Sequence, residues 1–373
     1  MYGSIVFLIV NSIRFLGCRM GSALEDTLKE EIVKTLDKHI TLIKGKNCIY
    51  ADSSEFIVWS WAGINQISIQ ESSEELRDCG YNVPSGDAVL DRLSNQPYKV
   101  LENGFDHVFQ DHISRSRKQR LFTHSVIVAI DFTDIEWYGE ELPFIVKSKA
   151  KNGTKRFIRF ATIAIVEDGK RFTLKVLPVT PLSATENVVK ELIAYVQHFV
   201  SIRVVLLDRG FYSNEVVKQI KKAEVKFVIP AKKNDKVKEN MKKAYENGPI
   251  TYTMSKGATY TLMVVKDEDN DKLLPYATNM INTEPSTVHE FYESRFGIET
   301  QYRVKNKFFG KTCSKKYSVR YAFFILAVAL YNLWVLLNIL ERGRKGLEPG
   351  KIPIKVDRLK HIFRKIIYRN API

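Results

Sequence analysis

The chain has 373 residues, 45% of them hydrophobic and 27% charged, which excludes a small stapled domain and a wholly disordered chain and allows two or three packed units. Against 42 Asp and Glu stand 57 Lys and Arg, a formal charge of +15 that favours a polyanionic partner such as nucleic acid or an acidic membrane face. Four scattered cysteines without a CxxC pair speak against a disulfide framework or a zinc site and for a reducing compartment.

Residues 1–19 carry an apolar hexapeptide (5–10) with no basic residue before it, a poor signal peptide. Met20 opens the soluble run MGSALEDTLKEE, so Met1 and Met20 are both candidate starts and 1–19 is a candidate mis-annotated leader. Residues 20–120 mix charged and apolar residues at three-to-four spacing, as in LEDTLKEEIVKTLDKHITLI, and predict a helical N-terminal domain. Within it Ser72 and Glu75 have capping-box spacing for a helix that stops at Gly80, and a second helix follows over 85–93. Two helices around a turn have the dimensions of a helix-turn-helix, although Asp87 and Asp91 beside Arg92 would repel phosphate. This domain is the expected DNA-binding part. His107 and His112 are spaced five apart, on different helix faces, and do not suggest a metal site.

From 121 the period changes. SVIVAI (125–130) is an apolar run that ends on Asp131, RFIRFATIAIV (156–166) alternates, and 171–179 is strand-like again, which predicts a three-strand meander. Ser183 and Glu186 have capping-box spacing for a helix over 186–200. RVVLL (203–207) is a strand ending on Asp208, followed by a helix over 214–223 and a strand over 225–230. The predicted fold is α/β: a mixed sheet of three meander strands and two crossover strands, flanked by helices. Residues 233–286 break this order with a charged helical piece and three short strand candidates, a β-rich insertion. Helix resumes near Thr287 and Glu290, another capping-box pair, and the core is assigned to 121–232 and 287–345.

Residues 321–340 are apolar enough to cross a bilayer, interrupted only by Asn332 and Asn338; a helix buried on all sides of a large domain has the same composition. We read it as core and expect no membrane. The segment from Glu341 onward holds ten Lys and Arg against three acids, and its end, residues 346–373, is a basic tail with an amphipathic helix suited to DNA backbone.

Asp131 and Asp208 each stand one residue past an apolar strand, where a sheet presents side chains to a crevice. With an acid on a later helix they make the oxygen-rich set that two-metal phosphoryl transfer needs, because hard divalent cations favour carboxylates and a pair about 4 Å apart serves both attacking and leaving oxygens. In HEFYESRFGIETQYRVKNK, Tyr292, Arg295, Glu299, Arg303 and Asn306 follow steps of three and four and predict one helix face. Such a face suits a phosphodiester, the acid toward metal and the arginines toward phosphate.

The order DFTDIEWYG, LLDRGFYS, YESRFGIETQYR resembles the DDE transposases of bacterial and archaeal insertion sequences, in the group whose signature is Tyr, two residues, Arg, three residues, Glu, six residues, Lys. The resemblance covers roughly 125–340. It implies an RNase H-like catalytic core with Asp131, Asp208 and Glu299 as catalytic residues and metal ligands, Mg²⁺ as cofactor with Mn²⁺ as substitute, and two ions per site. The reaction implied is endonucleolytic cleavage at the terminal inverted repeats of a transposon and strand transfer into target DNA. Double-stranded DNA is then the partner, a homodimer the assembly and the cytoplasm, at the nucleoid, the location. Tyr292, Arg295, Arg303, Lys305 and Lys307 are the expected DNA contacts. Asp134 is the rival first acid; Asp131 is preferred because it terminates the strand and stands two before Thr133. The signature lysine falls on Asn306, with Lys305 and Lys307 beside it. Tyr252, Tyr260 and Tyr276 are candidates to stack a base in the insertion, and each reads equally well as strand core. The alternative function is a non-catalytic DNA-binding protein derived from a transposase.

Overall fold

A computed structural model describes residues 28, 32–46, 48–119, 124–267 and 270–369; the candidate leader, 1–19, lies outside them. The chain divides into two compact units, Met1–Val108 with Val304–Leu337 and Pro353–Ile373, and Phe109–Arg303 with Asn338–Ile352.

The first unit is helical. After helical residues 32–39 come Asp52–Asn65 (α1), Ile69–Asp78 (α2), Gly86–Ser94 (α3) and Tyr98–Arg117 (α4). The cap of α2 is Ser68, whose side chain accepts from the Glu71 amide, not Ser72. Ser72 is buried mid-helix and donates to the Val58 carbonyl at 2.6 Å, a tertiary bond that the local sequence cannot show. Gly80 takes the left-handed conformation that ends α2, with φ 82°. Arg92 on α3 is 7% exposed and holds the Asp52 and Glu55 carboxylates and the Leu42 carbonyl. A guanidinium used in this way is a structural tie between α3 and α1, and it is not presented to a phosphate. That removes the one cation that a recognition helix here would have offered.

The second unit is organised by one nine-stranded mixed sheet. Val126–Glu136 (β1) pairs antiparallel with Thr154–Ile165 (β3), whose other edge carries Val146–Lys151 (β2) and Thr173–Val179 (β4) end to end. Thr185–Gln197 (α5) crosses over to Ile202–Leu207 (β5), which runs parallel to β1, and Asn214–Lys222 (α6) crosses to Phe227–Pro230 (β6), parallel to β5. Helix α5 begins after Ala184 without a side-chain cap, because the Ser183 hydroxyl accepts from the Thr180 amide instead. β2, VKSKAK, did not read as a strand: an exposed edge strand needs no apolar alternation, and lysines discourage further pairing there.

The 233–286 insertion is Asp235–Glu246 (α7) and the strands Ile250–Thr253 (β7), Thr259–Asp267 (β8) and Lys272–Thr278 (β9). All three strand candidates form, and they extend the main sheet, since β9 pairs antiparallel with β6. Pro285–Ser294 (α8) and Phe296–Lys305 (α9) follow. Helix α8 starts at a Pro in its first turn, after Glu284, two residues before the expected Thr287, because proline's fixed φ suits that position.

The apolar stretch lies in Tyr317–Lys345 (α10), 94% buried over its most apolar window. Its described partners include the N-terminal helices, and Gly63 is the close approach: a Cβ there would stand 3.0 Å from the Phe308 carbonyl oxygen and 3.1 Å from a Leu330 methyl. Residues 304–337 therefore pack with the helical unit, where the sequence had grouped them with the core. Their helix is apolar all round and needs cover on every side, and helices supply that cover. Val356–Arg369 (α11) closes the chain with one buried face, Phe363 against Trp61 and the Ile367 carbonyl bonded by Tyr81.

Candidate active site

The parallel pairing of β1 with β5 ends at Ile130↔Leu207, so Asp131, still on β1, and Asp208, just past the end of β5, follow that last pair on neighbouring chain segments. Register alone brings together two acids that are far apart in sequence. β1 does not stop at Asp131, as the apolar run suggested, but continues against β3, with Asp131 opposite Thr162. The strand leaves its parallel neighbour there while keeping its antiparallel one, and polar side chains can follow because that stretch is only half-buried. Asp134, the rival acid, lies opposite Arg159 and is held by it in two bonds of 2.7 Å. That bidentate pair commits Asp134 to a cross-strand contact.

Glu299 arrives on α9, which docks against β3. Gln301 donates to the Ile165 carbonyl at 2.6 Å, and the Tyr302 and Thr162 hydroxyls bond at 2.6 Å. Gly297 makes the docking close, since a Cβ there would lie 2.8 Å from the Val166 carbonyl oxygen. The predicted single helix face is interrupted: Arg295 joins α8 to α9 through a tightened turn in which Arg295 N bonds Tyr292 O and Ile298 N bonds Arg295 O. Asn306 lies beyond α9 in a 3₁₀ turn, Asn306–Phe308.

Arg295 is 6% exposed and sits at the centre. Its guanidinium reaches Glu299 at 3.1 Å and Asp131 at 3.9 Å and lies over the Tyr292 ring. Burial pushes the Asp131 carboxyl up to about 6, against the pull of Arg295 and of the Phe132 amide, and the charges of Asp208 and Glu299 raise it further. The three acids thus feel one another. Tyr292 is raised by burial too, with Arg295 and Arg209 drawing it down and Asp208 raising it.

The five expected DNA contacts separate. Tyr292 and Arg295 belong to the acid cluster, while Arg303 and Lys307 are exposed. Lys305 departs from the expected role: it is 3% exposed, its ammonium is 4.1 Å from the centre of the Phe324 ring, and burial lowers it to about 7. It points into the core because α9 turns that side toward apolar neighbours, and an exposed phosphate is out of its reach. Tyr252, Tyr260 and Tyr276 are buried, at 8%, 3% and 3% exposure, as strand core. Tyr302 and Arg209 were missed, though each stood in view: Tyr302 is one turn beyond Glu299 and Arg209 directly follows Asp208.

Three hard oxygen donors, two of which raise the carboxyl of the third, fit a divalent cation. As the side chains stand, a guanidinium links Asp131 to Glu299, and among the described residues no three His, Cys, Asp or Glu side chains converge at coordination distance.

A mixed sheet in which the parallel pairing of two central strands ends at a pair of acids, with a third acid on a helix laid against it, is the arrangement of an RNase H-like DDE core. Residues 123–333 match the Transposase DDE domain family, over more than half of the chain, and the chain belongs to that family. The fold is similar to that of the piggyBac transposase in its synaptic complex with hairpin DNA, at 14% identity and a TM-score of 0.61, covering 94% of this chain and 82% of that one. No curated protein matches the sequence.

Proposed function

We propose that the protein is an active transposase that cuts double-stranded DNA at transposon ends and joins the freed 3′-hydroxyl to target DNA, with Asp131, Asp208 and Glu299 holding two Mg²⁺ ions for which Mn²⁺ can substitute. The observation that carries this reading is geometric: parallel pairing of β1 with β5 ends at Asp131 and Asp208, and α9, docked on β3, brings Glu299 to the same buried guanidinium that Asp131 faces; acids gathered around a partly buried site call for a cation. When bound, divalent cations supply activation of the attacking oxygen and neutralisation at the leaving oxygen. The chain's own part is positional. β1 and β5 fix the two aspartates by register, and α9 brings Glu299 to them. Arg295, held over Tyr292, offers donors to a scissile phosphate. Arg303 and Lys307 are exposed and suit backbone phosphates flanking the site. We further propose a homodimer that pairs two ends, working in the cytoplasm at the nucleoid.

The test is cleavage and joining of a duplex copied from the DNA flanking the gene, with Mg²⁺ or Mn²⁺. Asp131→Asn, Asp208→Asn and Glu299→Gln should each abolish both steps and leave DNA binding within a few-fold of wild type. Full activity in any one of them removes that residue from the set. A wild type that binds the duplex but cuts with neither metal would favour a non-catalytic DNA-binding protein.

A further inference from the structure

Arg209 is the first residue after Asp208 and opens the 3₁₀ turn Arg209–Phe211 at the end of β5. The turn is anchored twice. Phe211 stacks on Phe132 of β1 with ring centres 4.7 Å apart, and the Tyr212 hydroxyl bonds the Tyr260 hydroxyl of β8 at 2.7 Å, buried. Within the turn, Phe211 N bonds Asp208 O at 2.9 Å and Tyr212 N bonds Arg209 O at 3.1 Å. The backbone of Arg209 is therefore fixed from both sides, while its side chain is exposed and makes no hydrogen bond or ion pair with any described residue. Burial raises the Tyr292 and Tyr276 hydroxyls and the charge of Arg209 draws both down, while the Tyr276 hydroxyl is held by His289 Nδ1 at 2.8 Å. Tyr292 thus feels two guanidiniums, Arg295 buried among the acids and Arg209 open to solvent.

An unpaired arginine on a rigid mount beside an acid is an electrostatically useful arrangement only if an anion completes it, because a free guanidinium offers five donors and no acceptor. We infer that Arg209 is a substrate-contacting residue that binds a DNA phosphate neighbouring the scissile one, so that Arg295 and Arg209 grip consecutive phosphates. The inference rests on the transposase reading of the same site. Arg295 is tied to Glu299 and Asp131, so the hold on the neighbouring phosphate falls to Arg209.

A chemical double-mutant cycle tests this. Wild type, Arg209→Gln and Arg209→Lys are compared on a duplex copied from the flanking DNA and on the same duplex with a neutral methylphosphonate at each position next to the cut. Binding is read by fluorescence anisotropy without metal, cleavage with Mn²⁺. The expected result is a loss of about 10- to 100-fold in kcat/KM for Arg209→Gln, with partial rescue by Arg209→Lys. One methylphosphonate should weaken wild type by a like factor and leave Arg209→Gln unmoved. Equal sensitivity of wild type and Arg209→Gln at every position overturns the inference even if the enzyme is fully active. If wild type does not cleave, the proposed function fails, and the binding arm still decides whether Arg209 meets a phosphate.

Discussion

Asp131 shows how a site can work against the stability of its own fold. Its folded pKa of about 6 lies above the usual 3.8, so between those values the folded chain binds more protons than the unfolded one. The ionised carboxylate therefore costs stability above pH 6, on the order of 3 kcal/mol for a rise of that size, and the cost disappears as pH falls toward about 4. With 21% of the side chain exposed, most of that cost should survive screening. Asp131→Asn is expected to raise the melting temperature of the metal-free protein at pH 8 while abolishing cleavage, and the gap should close between pH 6 and 4. A variant melting below wild type at pH 8 would mean that Asp131 is a net stabilising partner of Arg295. In the same range, protons compete with the cation, so Mn²⁺ affinity should fall as pH drops through about 6.

At the scale of elements, the position of Glu299 depends on how closely α9 approaches β3. The Cβ of an alanine at 297 would sit 2.8 Å from the Val166 carbonyl oxygen and 3.1 Å from Arg171 Nε, closer than packing allows, so the helix must shift. Gly297→Ala is expected to destabilise the protein by about 1–3 kcal/mol in urea melts and to lower cleavage by a larger factor than its stability loss explains. Unchanged activity would show that Glu299 does not need that docking. The sequence showed much of this architecture, because apolar runs ending on Asp131 and Asp208 announce strands, and strands of one sheet bring their ends together. It did not show where β1 stops, since Phe132 to Glu136 hold the strand by pairing with β3 and not by their own apolarity. Nor could helical spacing reveal the tightened turn at Arg295 or the burial of Lys305, which are set by what α8 and α9 pack against. The capping-box spacings misled for different reasons: Ser72 bonds the Val58 carbonyl of another helix, Ser183 accepts from the nearby Thr180 amide, and the helix at Thr287 begins earlier, at Pro285.

Over the whole molecule, the net charge and the apolar helix make separate demands on the surroundings. Helix α11 buries its apolar face and, with Lys355 just before it, exposes Arg358, Arg364 and Arg369, so deleting the tail would confound packing with charge. Changing those four residues to Gln should keep the melting temperature and flatten the salt dependence of DNA binding, by up to about one unit of slope for each phosphate no longer neutralised; an unaltered slope assigns the helix to packing alone. Helix α10 poses the larger question, because its composition would suit a bilayer and the fold covers it with protein. Leu330 is 3% exposed, against Gly63 of α1. Introducing an ammonium there leaves a charge in a closely packed, buried place, at a cost of several kcal/mol. The wild type is therefore expected to purify without detergent and to melt cooperatively, and Leu330→Lys to aggregate or to lose that transition. At a lipid-facing position the same change would instead impair insertion, and the unsubstituted protein would need detergent. Wild type retained in the membrane fraction after a high-salt wash would overturn the buried-helix packing and, with it, the helical unit built around α10.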